Sequence, residues 1–496
     1  MSRVRSDREL PVRPFILTLV VLGLILRFID LSHHSFWGDE GWTLQTVSGS
    51  VFDLIHRCLS DVHPPLYFLL VKPFVGSNAT EWSARLPSAL ASALALALLY
   101  RMGARRLSGR GLALFVAWVA VSSVCLQPAR EARAYALLGL LGVAWLDLLD
   151  RWAVADPVDS PFPVAQRLRL ALVLTLAIYT HHFGWLMLFT TVLVPFVLGR
   201  PSDRALPASS ALALVAALPS LGWVLNLSRI APVKTYSLVQ MGKRVVGIVV
   251  HWTGGYLLSN MTLAEFQTKA SAGQGPLFLT LVGVAIGLTL RGASKDRPWN
   301  EPTGRLLLTC VVAPMIMAAC LDFSHLTSRY LVFCAPAFFL LVVRALIRLT
   351  PTSFGLGAVF ILSANLFSTE ALLTCPTDLM HKEDWRHLAA ELSDRPSTVT
   401  AWVKAGAGTR YLFEFYRKPR HGPTLREYGD LGGSDRLVVV LGRSADLDLS
   451  ALSMAGHIRD LEKLSGLEHQ HTSSRFGEHL RLLEFGRMDH PAGARR

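Results

Sequence analysis

Long apolar runs separated by short polar breaks fill the chain from near its start to about residue 375. Runs long enough to cross roughly 30 Å of hydrocarbon fall near 15–31, 86–104, 111–127, 134–149, 168–184, 185–199, 208–227, 276–291, 305–321, 330–348 and 355–373. Within 168–199 and 305–348, paired runs are parted by the polar stretches Tyr179 to Gly184 and Asp322 to Arg329. The pattern predicts a polytopic α-helical membrane protein with about 11 transmembrane helices.

Shorter apolar pieces occur between the long ones. SVFDLIHRCLS and HPPLYFLLVKPFVG, both within 32–85, span only a few helical turns, and that length predicts helices lying at the membrane interface. VVGIVVHWTGGYLL, within 228–275, predicts a similar interfacial or re-entrant piece; the alternative is a twelfth crossing, which would reverse the side of all that follows. Past residue 375 the pattern changes. The strand-like runs TVTAWV, RLVVVLG and HLRLLEF alternate with the helical pieces EDWRHLAAEL and DLSALSMAGHIRDLEKL, so the expected organisation is a membrane domain over 1–375 and a small soluble α/β domain over 376–496.

Composition agrees with the membrane class: of 496 residues, 51% are hydrophobic and 17% charged, with a mean hydropathy of +0.39. A net charge of +13 raises nucleic acid as a partner, but the basic residues form short clusters between apolar runs rather than one face. Arg3, Arg5 and Arg8, then Arg101, Arg105, Arg106 and Arg110, then Arg151, Arg167 and Arg169, then Arg200 and Arg204, then Arg291, Lys295, Arg297 and Arg305, and finally Arg344 and Arg348 mark every second connection. Those are topology signals that put the N-terminus in the cytoplasm and residues from about 376 onward outside it. The basic leader MSRVRSDRELPVRP resembles a signal sequence, but no small-residue cleavage site follows, so the first apolar run is expected to remain as a span. The six cysteines have neither metal-site nor disulfide-framework spacing. No glycine-rich loop joins a strand to a helix as nucleotide binding requires.

Candidate chemistry lies at the expected outer rim. FWGDEGW places Asp39 and Glu40 between Trp37 and Trp42, just after the first span. Adjacent carboxylates point in different directions, so one general base with a structural partner fits better than a two-carboxylate glycosidase pair. A solvated turn between interfacial tryptophans explains the motif equally well. In DVHPPLYFLL, Pro64 and Pro65 fix an extended lead into a helix, and His63 is either structural or a substrate contact. QPAREARAYALLGLL puts Arg130, Glu131 and Arg133 before Tyr135, on the side where positive charge is scarce. A lipid-linked phosphate would account for those arginines, because guanidinium grips its oxygens bidentately; snorkelling with Glu131 as ion partner is the plainer account. His181 and His182 in YTHHFGW, and Arg329 and Tyr330 in TSRYLVF, complete the polar rim. Neighbouring histidines make a poor metal pair.

FWGDEGW, DVHPPLYFLL, TEWSARLPSALASALALALLYRMGARRL, QPAREARAYALLGLL, YTHHFGW, SRYLVFCAPA and EDWRHLAAEL, taken in this order, resemble the bacterial membrane glycosyltransferases of the C superfamily. The likeness is to the branch of protein O-mannosyltransferases and lipid A aminoarabinose transferases, and it extends to about residue 390. It implies a sugar donor carried on a polyprenyl phosphate, usually undecaprenyl phosphate, and a glycan, lipid or protein acceptor. Transfer would occur on the outer face of the bacterial cytoplasmic membrane, with no nucleic acid partner and no cofactor. The resemblance maps the catalytic acids onto Asp39 as base and Glu40 as the second acidic position. It maps the arginine-bearing motif onto Arg130, Glu131, Arg133 and Tyr135; with the rim residues added, the candidate donor-phosphate contacts are Arg130, Arg133 and Arg329, and the candidate substrate contacts are His63, Glu131, Tyr135 and His182. A transporter or lipid flippase is the reading from another class; its charges belong at mid-membrane, in broken helices, rather than at a rim.

Overall fold

The computed structural model describes residues 12–61, 63–76, 79–155, 162–223, 238–254, 274–321, 327–374, 384–393, 400–404, 411–412, 415–416, 424–425, 436–442, 458, 468–473 and 480–486. The chain divides into two compact units. One comprises 1–31, 49–76 and 83–373, and the other 32–48, 77–82 and 374–496.

Every apolar run of the sequence coincides with a helix. The first is α1 (Val12–Phe28), followed by α2 (Gly38–Val47), α3 (Val51–Ser60), α4 (Leu66–Val71) and α5 (Glu81–Arg106). Then come α6 (Gly109–Val121), α7 (Ser123–Ala129), α8 (Tyr135–Val154), α9 (Val164–Thr180), α10 (Gly184–Val197) and α11 (Ala205–Ala217). The series continues with α12 (Leu238–Gly254), α13 (Gln274–Asp296), α14 (Pro302–Leu321), α15 (Ala335–Ile347), α16 (Pro351–Thr374) and α17 (Trp385–Ser393). Five stretches among the described residues are both long and apolar enough to cross a membrane: 81–106, 109–129, 205–223, 302–320 and 351–374. The run expected at 111–127 is broken at Ser122, whose extended backbone ends α6 before α7 resumes.

The core of the helical unit is apolar and aromatic. Trp118, Trp145, Trp152, Phe333 and Phe339 are fully buried, and the Trp145 indole N–H donates to Thr191 Oγ1 at 2.8 Å. Gly142 on α8 permits the close approach of the turn Val332–Cys334, since a Cβ there would collide with Phe333. Outward, the same helices expose Leu17 and Phe15 on α1, Leu172 on α9, Phe196 on α10 and Val215 on α11, as a lipid-facing surface requires. At one end the basic clusters meet acids: Arg106 Nε donates to Asp150 at 2.9 Å, Arg151 pairs with Asp147 at 2.9 Å, and Arg348 pairs with Asp296 at 2.9 Å.

The two short pieces of the first long connection are helices. Ser50 caps α3 reciprocally with Asp53, its Oγ accepting from Asp53 N at 3.1 Å while Asp53 Oδ2 accepts from Ser50 N at 2.8 Å. Its buried side is Leu54 and Cys58, while Val51, Phe52, Ile55 and Leu59 form an exposed apolar stripe, as an interfacial helix presents to lipid. VVGIVVHWTGGYLL contributes the second half of α12, whose C-terminal carbonyls Thr253 O and Gly254 O accept from Asn365 and Ser368 at 2.8 and 2.9 Å.

The second unit carries a five-stranded sheet. Its strands are β1 (Thr400–Lys404), β2 (Thr424–Leu425), β3 (Arg436–Gly442), β4 (Glu468–Ser473) and β5 (Leu480–Gly486), in the order β2-β1-β3-β5-β4. β1 is parallel to both β2 and β3, whereas β5 is antiparallel to β3 and β4. The three runs TVTAWV, RLVVVLG and HLRLLEF supply β1, β3 and β5, and EDWRHLAAEL supplies α17. DLSALSMAGHIRDLEKL lies outside the described residues except for Ile458, and Arg3, Arg5, Arg8 and the stretch 322–326 lie outside them too.

Candidate active site

In the helical unit, three inter-helix connections converge. The α7–α8 connection bears Arg130, Glu131 and Arg133; the α9–α10 break bears His181 and His182; the turn before α15 bears Arg329 and Tyr330. Their rings form one cluster: Tyr135 lies 5.8 Å from His181 and 5.7 Å from Tyr330, and His181 lies 5.3 Å from Tyr330. Two cations flank it. The Arg133 guanidinium carbon is 5.9 Å from the Tyr135 ring centre, and that of Arg329 is 5.6 Å from Tyr135 and 5.1 Å from Tyr330.

Arg133, 6% exposed, is oriented by a relay that the sequence pointed to only in part. Its Nη2 lies 3.0 Å from His63 Nε2, and His63 Nδ1 lies 2.6 Å from Asp61 Oδ2. Guanidinium can only donate, so Nε2 must accept and the imidazole proton must sit on Nδ1, directed at Asp61. Pro64 and Pro65 set the backbone that presents His63 from the lead-in to α4. The backbone is fixed as well: Ser88 Oγ donates to Arg133 O at 3.3 Å and meets Tyr67 Oη at 2.8 Å. Asp61 and Ser88 are members of this arrangement that the sequence did not single out; the spacing Asp-x-His before a proline pair was the available signal for Asp61.

Burial, then the ionisable groups around it, the cations Arg133 and Arg329 among them, hold His181 well below the usual histidine range, so it is a neutral ring beside cations. Its Nδ1 accepts from Phe183 N at 3.2 Å. His182 lies beside it, with ring centres 6.1 Å apart. Glu131, 3% exposed, accepts from Gln127 Nε2 at 3.2 Å through Oε1. Arg130 also reaches the end of α1. Its Nη1 and Nη2 donate to Ile29 O at 2.6 Å and Asp30 O at 2.8 Å, holding the left-handed turn at Asp30 (φ 45°) that ends α1. Arg85 does the same one residue on, donating to Leu31 O at 2.7 Å. Burial, and then the neighbouring Arg85, lower Arg130 to about 10, which leaves it charged at neutral pH.

In the second unit, Asp39 and Glu40 occupy the first turn of α2. Glu40 is fully buried, and its Oε2 accepts from Trp37 N at 3.4 Å, tying off the helix N-terminus. Asp39 is only half-buried. The two acids therefore differ in environment although they are adjacent in sequence. Among the described residues, no group of three or more His, Cys, Asp or Glu side chains is placed to hold a metal ion.

No protein-family model matches this sequence. No curated protein matches it either. The solved structures do. ArnT from Cupriavidus metallidurans in the apo state superimposes with a TM-score of 0.55 at 12% identity, covering 95% of this chain and 98% of that one. The same protein bound to undecaprenyl phosphate gives a TM-score of 0.53 at 13% identity, covering 97% and 99%. The Archaeoglobus fulgidus oligosaccharyltransferase gives 0.46 at 12% identity, over 86% of this chain and 67% of that one. Over nearly its whole length, this multi-pass membrane protein has the fold of ArnT from Cupriavidus metallidurans.

Proposed function

We propose that this chain transfers a sugar from a polyprenyl-phosphate donor to an acceptor hydroxyl on the outer face of the bacterial cytoplasmic membrane. The observation that carries the reading is the pair of guanidiniums, Arg133 and Arg329, set against the Tyr135 ring. An ordered aromatic cluster with two cations suits a phosphate joined to an apolar chain, and the ArnT fold occurs in a protein that binds undecaprenyl phosphate.

In the proposed reaction the acceptor hydroxyl hydrogen-bonds to Asp39, which takes its proton as the oxygen attacks the anomeric carbon. The bond from that carbon to the phosphate oxygen breaks on the opposite face, and polyprenyl phosphate leaves with the electron pair. Arg133 and Arg329 offset the growing charge on the leaving group. Asp61 and His63 keep Arg133 aimed, and Arg130 and Arg85 hold the end of α1. Glu40 supports the turn that presents Asp39. One displacement inverts the anomeric configuration.

The test is release of polyprenyl phosphate from a panel of polyprenyl-phosphate sugars, measured for wild type and Asp39→Asn. Loss of a positioned base lowers the rate by about 10²–10⁴, with donor binding retained. Equal release by both proteins would remove Asp39 from the mechanism, and movement of donor across a bilayer without transfer would favour a flippase.

A further inference from the structure

The segment that precedes Asp39 is held residue by residue from far along the chain. Arg386, the second residue of α17, donates from Nη2 to Ser32 O at 2.8 Å and to His34 O at 3.4 Å, and from Nη1 to His33 O at 3.4 Å. The same Nη2 pairs with Glu81 Oε1 at 2.5 Å. Its backbone N–H donates to Ser35 Oγ at 3.4 Å. Phe36 is held in turn by Tyr416, whose Oη accepts from Phe36 N at 2.8 Å and donates to Glu81 Oε1 at 2.6 Å. Five consecutive residues, 32 to 36, are thus fixed through one carboxylate oxygen that both Arg386 and Tyr416 share.

The holder is itself rigid. Asp384 caps α17, accepting from His387 N at 3.1 Å, and Trp385 is fully buried. Phe36 packs edge-on against Phe415 at 5.7 Å. Burial, and then the charge of Glu81, push the Tyr416 phenol well above the usual tyrosine range, so its proton stays available to Glu81. The next residue, Trp37, precedes α2 directly, and its N–H is tied to Glu40. No slack separates this knot from Asp39.

We infer that Arg386, together with Tyr416 and Glu81, is a positioning residue group for Asp39, setting the place and angle of the first turn of α2. This inference rests on the reading of Asp39 as general base. A planar guanidinium reaches a carboxylate and several carbonyls at once; an ammonium at the same place cannot span them. Removing the fork lets the segment drift, and a misplacement of about 1 Å costs on the order of 10²-fold in rate.

Arg386→Lys and Tyr416→Phe, the latter keeping the ring against Phe36, test this in the full-length protein with two readouts. Amide hydrogen exchange over 32–48 reads how readily the segment opens, and transfer kinetics with a donor used by wild type read the consequence. Faster exchange in both variants, with kcat down about 10²-fold for Arg386→Lys and donor KM unchanged, is the expected result. Unchanged exchange, or faster exchange with unchanged kcat, overturns the inference. A wild type that exchanges slowly at 32–48 but transfers no sugar overturns the catalytic reading of Asp39 instead.

Discussion

Arg133 and Asp39 are held in place by different means. Arg133 is oriented by groups on neighbouring helix ends: His63 and Asp61 ahead of α4, Ser88 on α5, and the Tyr135 ring beside it. Asp39 lies in a segment tied down by Arg386 and Tyr416, which are 354 and 380 positions away from the groups they hold. The cationic centre is therefore a product of the membrane helices, and the acidic one depends on Glu81 at the start of α5 together with Arg386 and Tyr416 far along the chain. Substitutions that strike one centre should leave the fold of the other unit intact.

The largest effect that sharpens this contrast is in the cationic centre. Arg133→Gln and Arg329→Gln each remove a charge that grows in importance as phosphate leaves, and each should lower kcat by about 10²–10³. Single-turnover kinetics would show the loss in the chemical step. A change confined to donor KM would make these arginines mere binding groups.

Within the acidic centre the two carboxylates should separate. Glu40→Ala strips the partner from the buried Trp37 N–H, which costs about 1–3 kcal/mol and shows as a lower melting temperature. Glu40→Gln, which keeps an acceptor oxygen, should retain most of the activity that Asp39→Asn abolishes. If Glu40→Gln and Asp39→Asn are equally inactive, the division of roles is wrong.

The smallest effect is a pH dependence set by the burial of His181 and the cations around it. Folded His181 is neutral, whereas the unfolded chain takes up a proton as pH falls through the ordinary 6.5. The unfolded state then binds more protons, so this contribution to stability is present above that pH and lost below it. Its slope is at most about 1.4 kcal/mol per pH unit. Melting curves between about pH 7.5 and 5.5 should flatten in His181→Gln relative to wild type; an unchanged slope would mean that His181 is not the titrating group.

Much of this was legible in the sequence. Apolar runs placed the membrane helices because a helix that faces both lipid and an apolar core has no need of a polar face. The short runs at 50–60 and 64–76 declared themselves by length, and FWGDEGW, QPAREAR, YTHHFGW and TSRYLVF marked the candidate residues. What the sequence withheld was pairing. Nothing local distinguishes Arg130, bonded through Nη1 and Nη2 to the carbonyls of Ile29 and Asp30, from Arg133, directed at His63 and Tyr135. Nor could spacing reveal that Arg386 and Tyr416 meet on Glu81, since contacts across more than 300 residues leave no periodic trace.

The most direct test of the account is the anomeric configuration of the transferred sugar, read by NMR on product made from a polyprenyl-phosphate donor of known configuration. A single displacement based on Asp39 predicts inversion. Retention would require a double displacement or a same-face attack and would contradict the account.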